Sequence, residues 1–315
     1  MAPPILVTGS HRSGTTWVGR MLALDPGVVY VHEPFNPDVR APVMRVRPPF
    51  WFQYVTAENE ADFVAPMQDV LRFRRPPRPR ESDTILGRVG RSARLEVGSL
   101  ARRLRGRRPL LKDPIALMSA EWLANRFGSR NVVLIRHPAA FASSLKRLDW
   151  TFDFGHWVGQ PLLLRDLVGP YAAEIGSYAE RERDIIDQAI LLWNVMHHVI
   201  LGYRERHPDW IFIRHEDLCE EPTDRFRELY DRLDLPWSPA IAATVRASSS
   251  EEGRGEVPVA ARNVVVRDSR VARWTWLTRL TPAEQVRIRD GTAKVATALY
   301  DEGDWDPANA PAPMG

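Results

Sequence analysis

Nine residues near the amino terminus, Gly9-Ser10-His11-Arg12-Ser13-Gly14-Thr15-Thr16-Trp17, combine two glycines, an arginine and a set of hydroxyls. Placed between a strand and a helix, such a stretch binds an oxyanion. Glycines let backbone N–H groups converge, the helix N-terminus adds the positive end of its dipole, and the arginine adds charge. The flanks fit: Ile5-Leu6-Val7 reads as a strand, and Trp17, Val18, Met21, Leu22 and Leu24 fall at helical spacing. Gly-x4-Gly also fits the triphosphate loop G-x-x-x-x-G-K-[ST]. Thr15 stands where that loop requires Lys, the residue that reaches the β- and γ-phosphates while the next hydroxyl holds Mg²⁺. The cation here, Arg12, lies inside the loop. The stretch therefore predicts a site for a phosphate outside any Mg-bound triphosphate, although a plain Gly-rich turn is the alternative that the loop alone leaves open.

A second set of residues has the chemistry for another anion. The apolar run Val132-Val133-Leu134-Ile135 ends in Arg136, Pro138 opens a helix, and Ser144 follows two helical turns on. Arginine at a strand's carboxyl end and serine on the next helix can share the crevice where open α/β sheets bind ligands. Taken alone, Arg136 capping the sheet edge and Ser144 exposed on the helix would fit as well.

The elements that must carry these residues alternate. Strands are expected at 4–8, 28–31, 109–112, 131–135 and 210–214, and helices at 15–24, 119–127, 138–147, 182–206, 222–234 and 281–300. The apolar runs at 132–135 and 210–213 suit parallel strands covered on both faces. The expected fold is α/β: three layers, P-loop-like, with a central parallel sheet flanked by helices. Residues 1–305 read as one domain. An Arg/Pro-rich insertion at 36–108 interrupts the alternation over the sheet's carboxyl edge, with a basic helix expected at 92–105. Residues 246–270 read as irregular, and the tail 306–315 as loose.

Charge is uneven. The net value is only +3, yet residues 72–108 hold thirteen Arg against Glu81, Asp83 and Glu96. That block attracts acidic partners unless it is simply a solvated, arginine-biased face. Apart from Phe73 it lacks interleaved aromatic residues, so nucleic acid is not the expected partner. The lone Cys219 excludes an internal disulfide and suits a cytoplasmic setting. The first strand begins beside Met1, so no leader is expected. No apolar run of about 20 residues is visible, which leaves at most peripheral membrane contact.

Taken together, Gly9–Trp17 and Arg136–Ser144 resemble the two cofactor signatures of sulfotransferases that use 3′-phosphoadenosine 5′-phosphosulfate (PAPS). The match extends to Ile213-Arg214-His215-Glu216-Asp217-Leu218 with Glu221-Pro222, and to Trp274 with Leu277, Leu280 and Glu284. The last set is similar to the carbohydrate and tyrosylprotein branches. The resemblance implies that Arg12, Ser13, Gly14, Thr15, Thr16 and Trp17 bind the 5′-phosphosulfate, and that Arg136 and Ser144 bind the 3′-phosphate. Arg270, ahead of the C-terminal Trp, is assigned to close over the 3′-phosphate, with Arg262, Arg267 and Arg273 nearby in sequence. PAPS is the implied co-substrate, its product is PAP, and no metal is implied. The phenol/steroid branch carries Pro-Lys before Ser-Gly-Thr-Thr and a Lys-Thr-His whose His is the base. Here His11-Arg12 and Lys112-Asp113-Pro114 stand instead, so another base is required. Glu33, in Val31-His32-Glu33-Pro34, is the expected base, and His32 is the runner-up. Arg12 and Lys112 are the expected sulfuryl-stabilising cations, with a Lys112–Glu33 or Arg12–Glu33 ion pair as the purely structural alternative. The implied acceptor is a small molecule or glycan: a carbohydrate, glycolipid or glycosylated metabolite. The rival readings are a P-loop kinase or NTPase, and a basic protein binding nucleic acid through 72–108.

Overall fold

The computed structural model describes residues 2–39, 43–74, 98, 101, 106–249 and 273–310. Five strands form one parallel sheet: β1 (Ile5–Gly9), β2 (Val28–His32), β3 (Arg108–Lys112), β4 (Arg130–Ile135) and β5 (Ile211–Arg214). Their order is β2-β3-β1-β4-β5. The helices that frame the sheet and the site are α1 (Thr15–Leu22), α2 (Ala61–Leu71), α3 (Ala120–Phe127), α4 (Pro138–Leu148), α5 (Ile185–Arg206), α6 (His215–Glu220), α7 (Pro222–Arg232), α8 (Pro239–Ser249) and α9 (Pro282–Ala296).

Alternation along the strands divides the core. Leu6, Leu111 and Val133 point to one face, where they join Trp193, Met196 and Ile200 of α5. Ile5, Val7, Leu110, Val132 and Leu134 point to the other, against Val18, Met21 and Leu22 of α1 and Phe226, Leu229 and Tyr230 of α7. Both faces are covered, so the strands read as continuous apolar runs. Every residue of β1 and β3 is buried. α5 is long and apolar enough to cross a membrane by composition, yet 61% of that window is buried inside the protein.

Four features depart from expectation. The segment 36–108 contains α2, which accommodates Pro66 in its interior. Its apolar residues Phe63, Met67 and Val70 are buried, so burial outweighs the lost hydrogen bond. Residues 246–249 complete α8 instead of beginning an irregular stretch; Ile241 and Val245 seat that helix on the core. Three short helices, Gly155–Val158, Pro161–Asp166 and Ala172–Glu180, lie between α4 and α5. Beyond Asp306, Pro307–Asn309 form a 3₁₀ turn that Asp306 caps through Ala308 N–H at 2.9 Å. The expected helix at 92–105 falls almost wholly outside the described residues, as do 250–272 and 311–315.

Candidate active site

The loop between β1 and α1 is shaped by two glycines. Gly9 has φ 135° and Gly14 has φ 93°. A Cβ on Gly9 would lie 2.2 Å from the Leu134 carbonyl oxygen, and one on Gly14 would lie 2.4 Å from His215 Cδ2. Strand β4 on one side and the His215 ring on the other therefore exclude any side chain. Arg12 adopts a left-handed conformation at φ 65°, and Ser13 N–H donates to Ser10 O at 3.2 Å. α1 opens at Gly14 without a side-chain cap, leaving its first N–H groups without a side-chain acceptor. The hydroxyls of Thr8, Ser10 and Ser13 are buried with no hydrogen-bond partner. Buried polar groups are normally satisfied. Three unsatisfied hydroxyls at one loop, beside an uncapped helix start and an arginine, fit a phosphate group.

The second signature meets the first. β1 and β4 are hydrogen-bonded neighbours, with Gly9 opposite Leu134. Arg12 Nε donates to Ser144 Oγ at 3.1 Å, and the Arg136 guanidinium donates to the Arg12 carbonyl. Arg136 also keeps a buried Nε with no partner, and its carbonyl accepts from Trp193 Nε1 at 2.8 Å. Of the remaining loop residues, Thr15 is buried and Thr16 exposed. Trp17 packs on Phe226 at 5.2 Å between ring centroids and donates its indole N–H to Ser248 Oγ at 3.0 Å.

Glu33 and Lys112 are also brought together. Glu33, just past β2, has φ 42°, and its N–H donates to the Lys112 carbonyl at 2.9 Å. Its carboxylate pairs with Lys112 Nζ and accepts from Asn36 Nδ2 at 2.6 Å. The Lys112 side chain is only 2% exposed. Gly19 of α1 makes room for it: a Cβ there would sit 3.0 Å from Lys112 Cγ. Burial pushes the Glu33 carboxyl up, but the Lys112 charge and the bonds from Lys112 and Asn36 pull harder, so it settles below the usual glutamate range. His32 is mainly exposed, 3.9 Å from Glu33, and stacks on Tyr30.

Residues whose burial the sequence did not reveal complete the site. Asp113 is fully buried and accepts N–H bonds from Phe35 at 2.7 Å and Ile115 at 3.0 Å. Burial raises its carboxyl to about 7 against the Phe35 bond, helped by the charge of Glu33. His11 is buried, and burial with the neighbouring Arg12 charge holds it at about 3, so it is neutral. His137 donates its backbone N–H to Glu216 Oε1 at 3.0 Å, while Glu216 Oε2 accepts from Tyr300 OH at 3.0 Å. The His137 ring lies against Trp276, Tyr300 and Trp305, which fastens the C-terminal segment beside Arg136. Arg273 lies over the Trp274 ring at 4.9 Å and pairs with Glu220. Arg270, Arg262 and Arg267 fall outside the described residues.

A profile of the sulfotransferase family matches residues 3–239. The chain therefore belongs to the sulfotransferase family. It is an enzyme, a PAPS-dependent sulfotransferase, which answers the rival reading of a kinase. A sulfotransferase domain from the curacin biosynthetic pathway superposes with a TM-score of 0.50 at 16% identity, covering 96% of this chain and 99% of that one, and shows the same fold. The sulfotransferase domain of the Synechococcus PCC 7002 olefin synthase gives 0.48 at 16% identity, over 96% and 97%. A mouse sulfotransferase, SULT7A1, complexed with PAP, gives 0.45 at 12%, over 94% and 85%. No curated protein sequence matches the chain significantly.

Proposed function

We propose that this enzyme moves a sulfuryl group from PAPS to a hydroxyl of a carbohydrate, glycolipid or glycosylated metabolite, an amine being the lesser acceptor chemistry. One observation carries the reading: Arg12 joins the loop of unsatisfied hydroxyls to both Ser144 and Arg136. When bound, PAPS supplies an activated sulfate on a phosphate leaving group.

In this reading Arg12, Ser13, Gly14, Thr15 and Thr16 hold the 5′ end, with Trp17 bracing the helix start. Arg136 and Ser144 take the 3′-phosphate, and Arg270 closes over it. Arg12 neutralises charge that develops between the leaving phosphate and the transferring group. Glu33 accepts the acceptor's proton, and Lys112 is shared between Glu33 and the sulfuryl oxygens. The low pKa of Glu33 keeps it ionised near neutrality but makes it a weak base. Loosening its pair with Lys112 raises its proton affinity, so engaging Lys112 elsewhere would strengthen the base when it is needed.

Calorimetry with PAP against ATP plus Mg²⁺, followed by labelled-sulfate transfer from PAPS to a glycan and metabolite extract, tests the reading. Tight PAP binding and a labelled glycoside are expected. Preference for ATP plus Mg²⁺, or label recovered only on non-glycosylated phenols, would remove it.

A further inference from the structure

A continuous series of contacts leads from Glu33 through Asn36, Asp38 and two indoles to His11, the residue before Arg12 in the first anion signature. Asn36 Nδ2 donates to Glu33 Oε2 at 2.6 Å, and Asn36 Oδ1 accepts the Asp38 N–H at 2.9 Å. Asp38 Oδ2 accepts from the Trp51 indole N–H at 2.8 Å. Trp51 meets Trp150 edge to face, with centroids 6.0 Å apart and planes at 85°. Trp150 in turn lies 5.0 Å from the His11 ring, and His11 precedes Arg12. Both indoles are half-buried and Asp38 is exposed. Fully buried Phe52 packs against Trp51 at 6.3 Å and against His11 at 5.6 Å. Each indole is thus packed on another ring, Trp51 on Phe52 and Trp150 on His11, while part of it stays uncovered.

We infer that Trp51 and Trp150 form the acceptor platform of this enzyme and that the ring they receive is a pyranose; this rests on the sulfotransferase reading of the site. The geometry favours a sugar over a flat aromatic ring. Two indoles at a right angle offer a corner, where a flat ring would stack on one indole and meet the other edge to face, with no use for polar groups beside it. A pyranose has one apolar C–H face for an indole and a polar edge of hydroxyls. The Asp38 carboxylate stands at Trp51, with the Asn36 amide next along the hydrogen-bonded series, and both groups suit hydroxyl recognition. The same hydrogen-bonded series ends on Glu33, so a ring seated on Trp51 is registered against the proposed base.

The test uses methyl β-glucopyranoside and methyl β-galactopyranoside as sugar probes, 2-naphthol as the flat counterpart, labelled PAPS as donor, and PAP calorimetry on every variant. Transfer to a glycoside is expected. Trp51→Ala and Trp150→Ala should each raise its KM about tenfold while kcat and PAP affinity stay within about twofold of the parent. Trp51→Phe and Trp150→Phe should fall between parent and alanine variant. They carry the comparison if thermal melting shows that an alanine variant has not folded. With PAP bound, transfer to 2-naphthol and to neither glycoside overturns the platform and leaves the nucleotide site standing. Unchanged glycoside KM in the folded variants, or no transfer to any probe, does the same. Failure of the parent to bind PAP overturns the nucleotide site itself.

Discussion

Replacing Arg12 by Ala removes the loop's arginine and the donor to Ser144 Oγ together. Transfer should be lost and PAP affinity should fall, as read by calorimetry; normal turnover would reject the loop assignment. Glu33→Gln keeps the acceptor for Asn36 but discards the charge that Lys112 neutralises. PAP binding should persist while kcat falls by about 10²–10⁴. The pH dependence separates the two neighbouring carboxyls. Glu33 titrates below its ordinary 4.5, so its stabilising pair is complete above that pH and lost as pH falls through the folded value. Asp113 is the reverse case. Raised from 3.8 to about 7, it favours the native state most when protonated, and that contribution fades as pH rises through about 7. Asp113→Asn cannot titrate, and its amide nitrogen cannot accept one of the two N–H bonds. The variant should be less stable than the parent at low pH, with the gap narrowing toward neutrality. Urea midpoints across that range check it, and a constant gap would contradict the raised carboxyl.

At the scale of elements, the β1–α1 turn depends on close approach more than on propensity. Gly14→Ala must carry a methyl into the His215 ring at a left-handed φ, with a backbone cost of about 1–3 kcal/mol before the clash is counted. Loss of both stability and PAP binding is the expected result, measured by melting and calorimetry on one preparation. A remote element provides the contrast. Thr281 and Glu284 form a capping box at the start of α9, and Glu284 also receives Lys146 from α4. Thr281→Ala should cost about 1 kcal/mol of stability and leave nucleotide affinity unchanged. A change in PAP binding would show that α9 reaches the site.

For the whole molecule, the sheet lies between two separately packed cores, and the site sits where the carboxyl ends of β1 and β4 adjoin. Binding there should stabilise the entire fold. PAP at a hundredfold excess over its Kd should add about 2.7 kcal/mol of apparent stability, while ATP with Mg²⁺ should add far less. Equal shifts from both ligands would contradict a loop without the triphosphate lysine.

The sequence by itself determined the strand–helix alternation, the parallel sheet and both anion signatures. Each is a local property: an apolar run of strand length, a Gly-bounded loop, a proline opening a helix. Local pattern also marked Arg12, Glu33, Lys112, Arg136 and Ser144. It failed for α2, where an internal proline masked a helix that burial sustains, and for α8, where a serine run hid a seated apolar face. Only the tertiary structure decided that Arg12 reaches Ser144, that Glu33 is paired with Lys112, and that Asp113 is buried enough to hold a proton. It alone set Trp51, Trp150 and His11 in a contact series although they lie far apart in the chain. The physical reason is that pairing, desolvation and ring packing depend on distances between residues far apart in the chain, which short-range pattern does not encode.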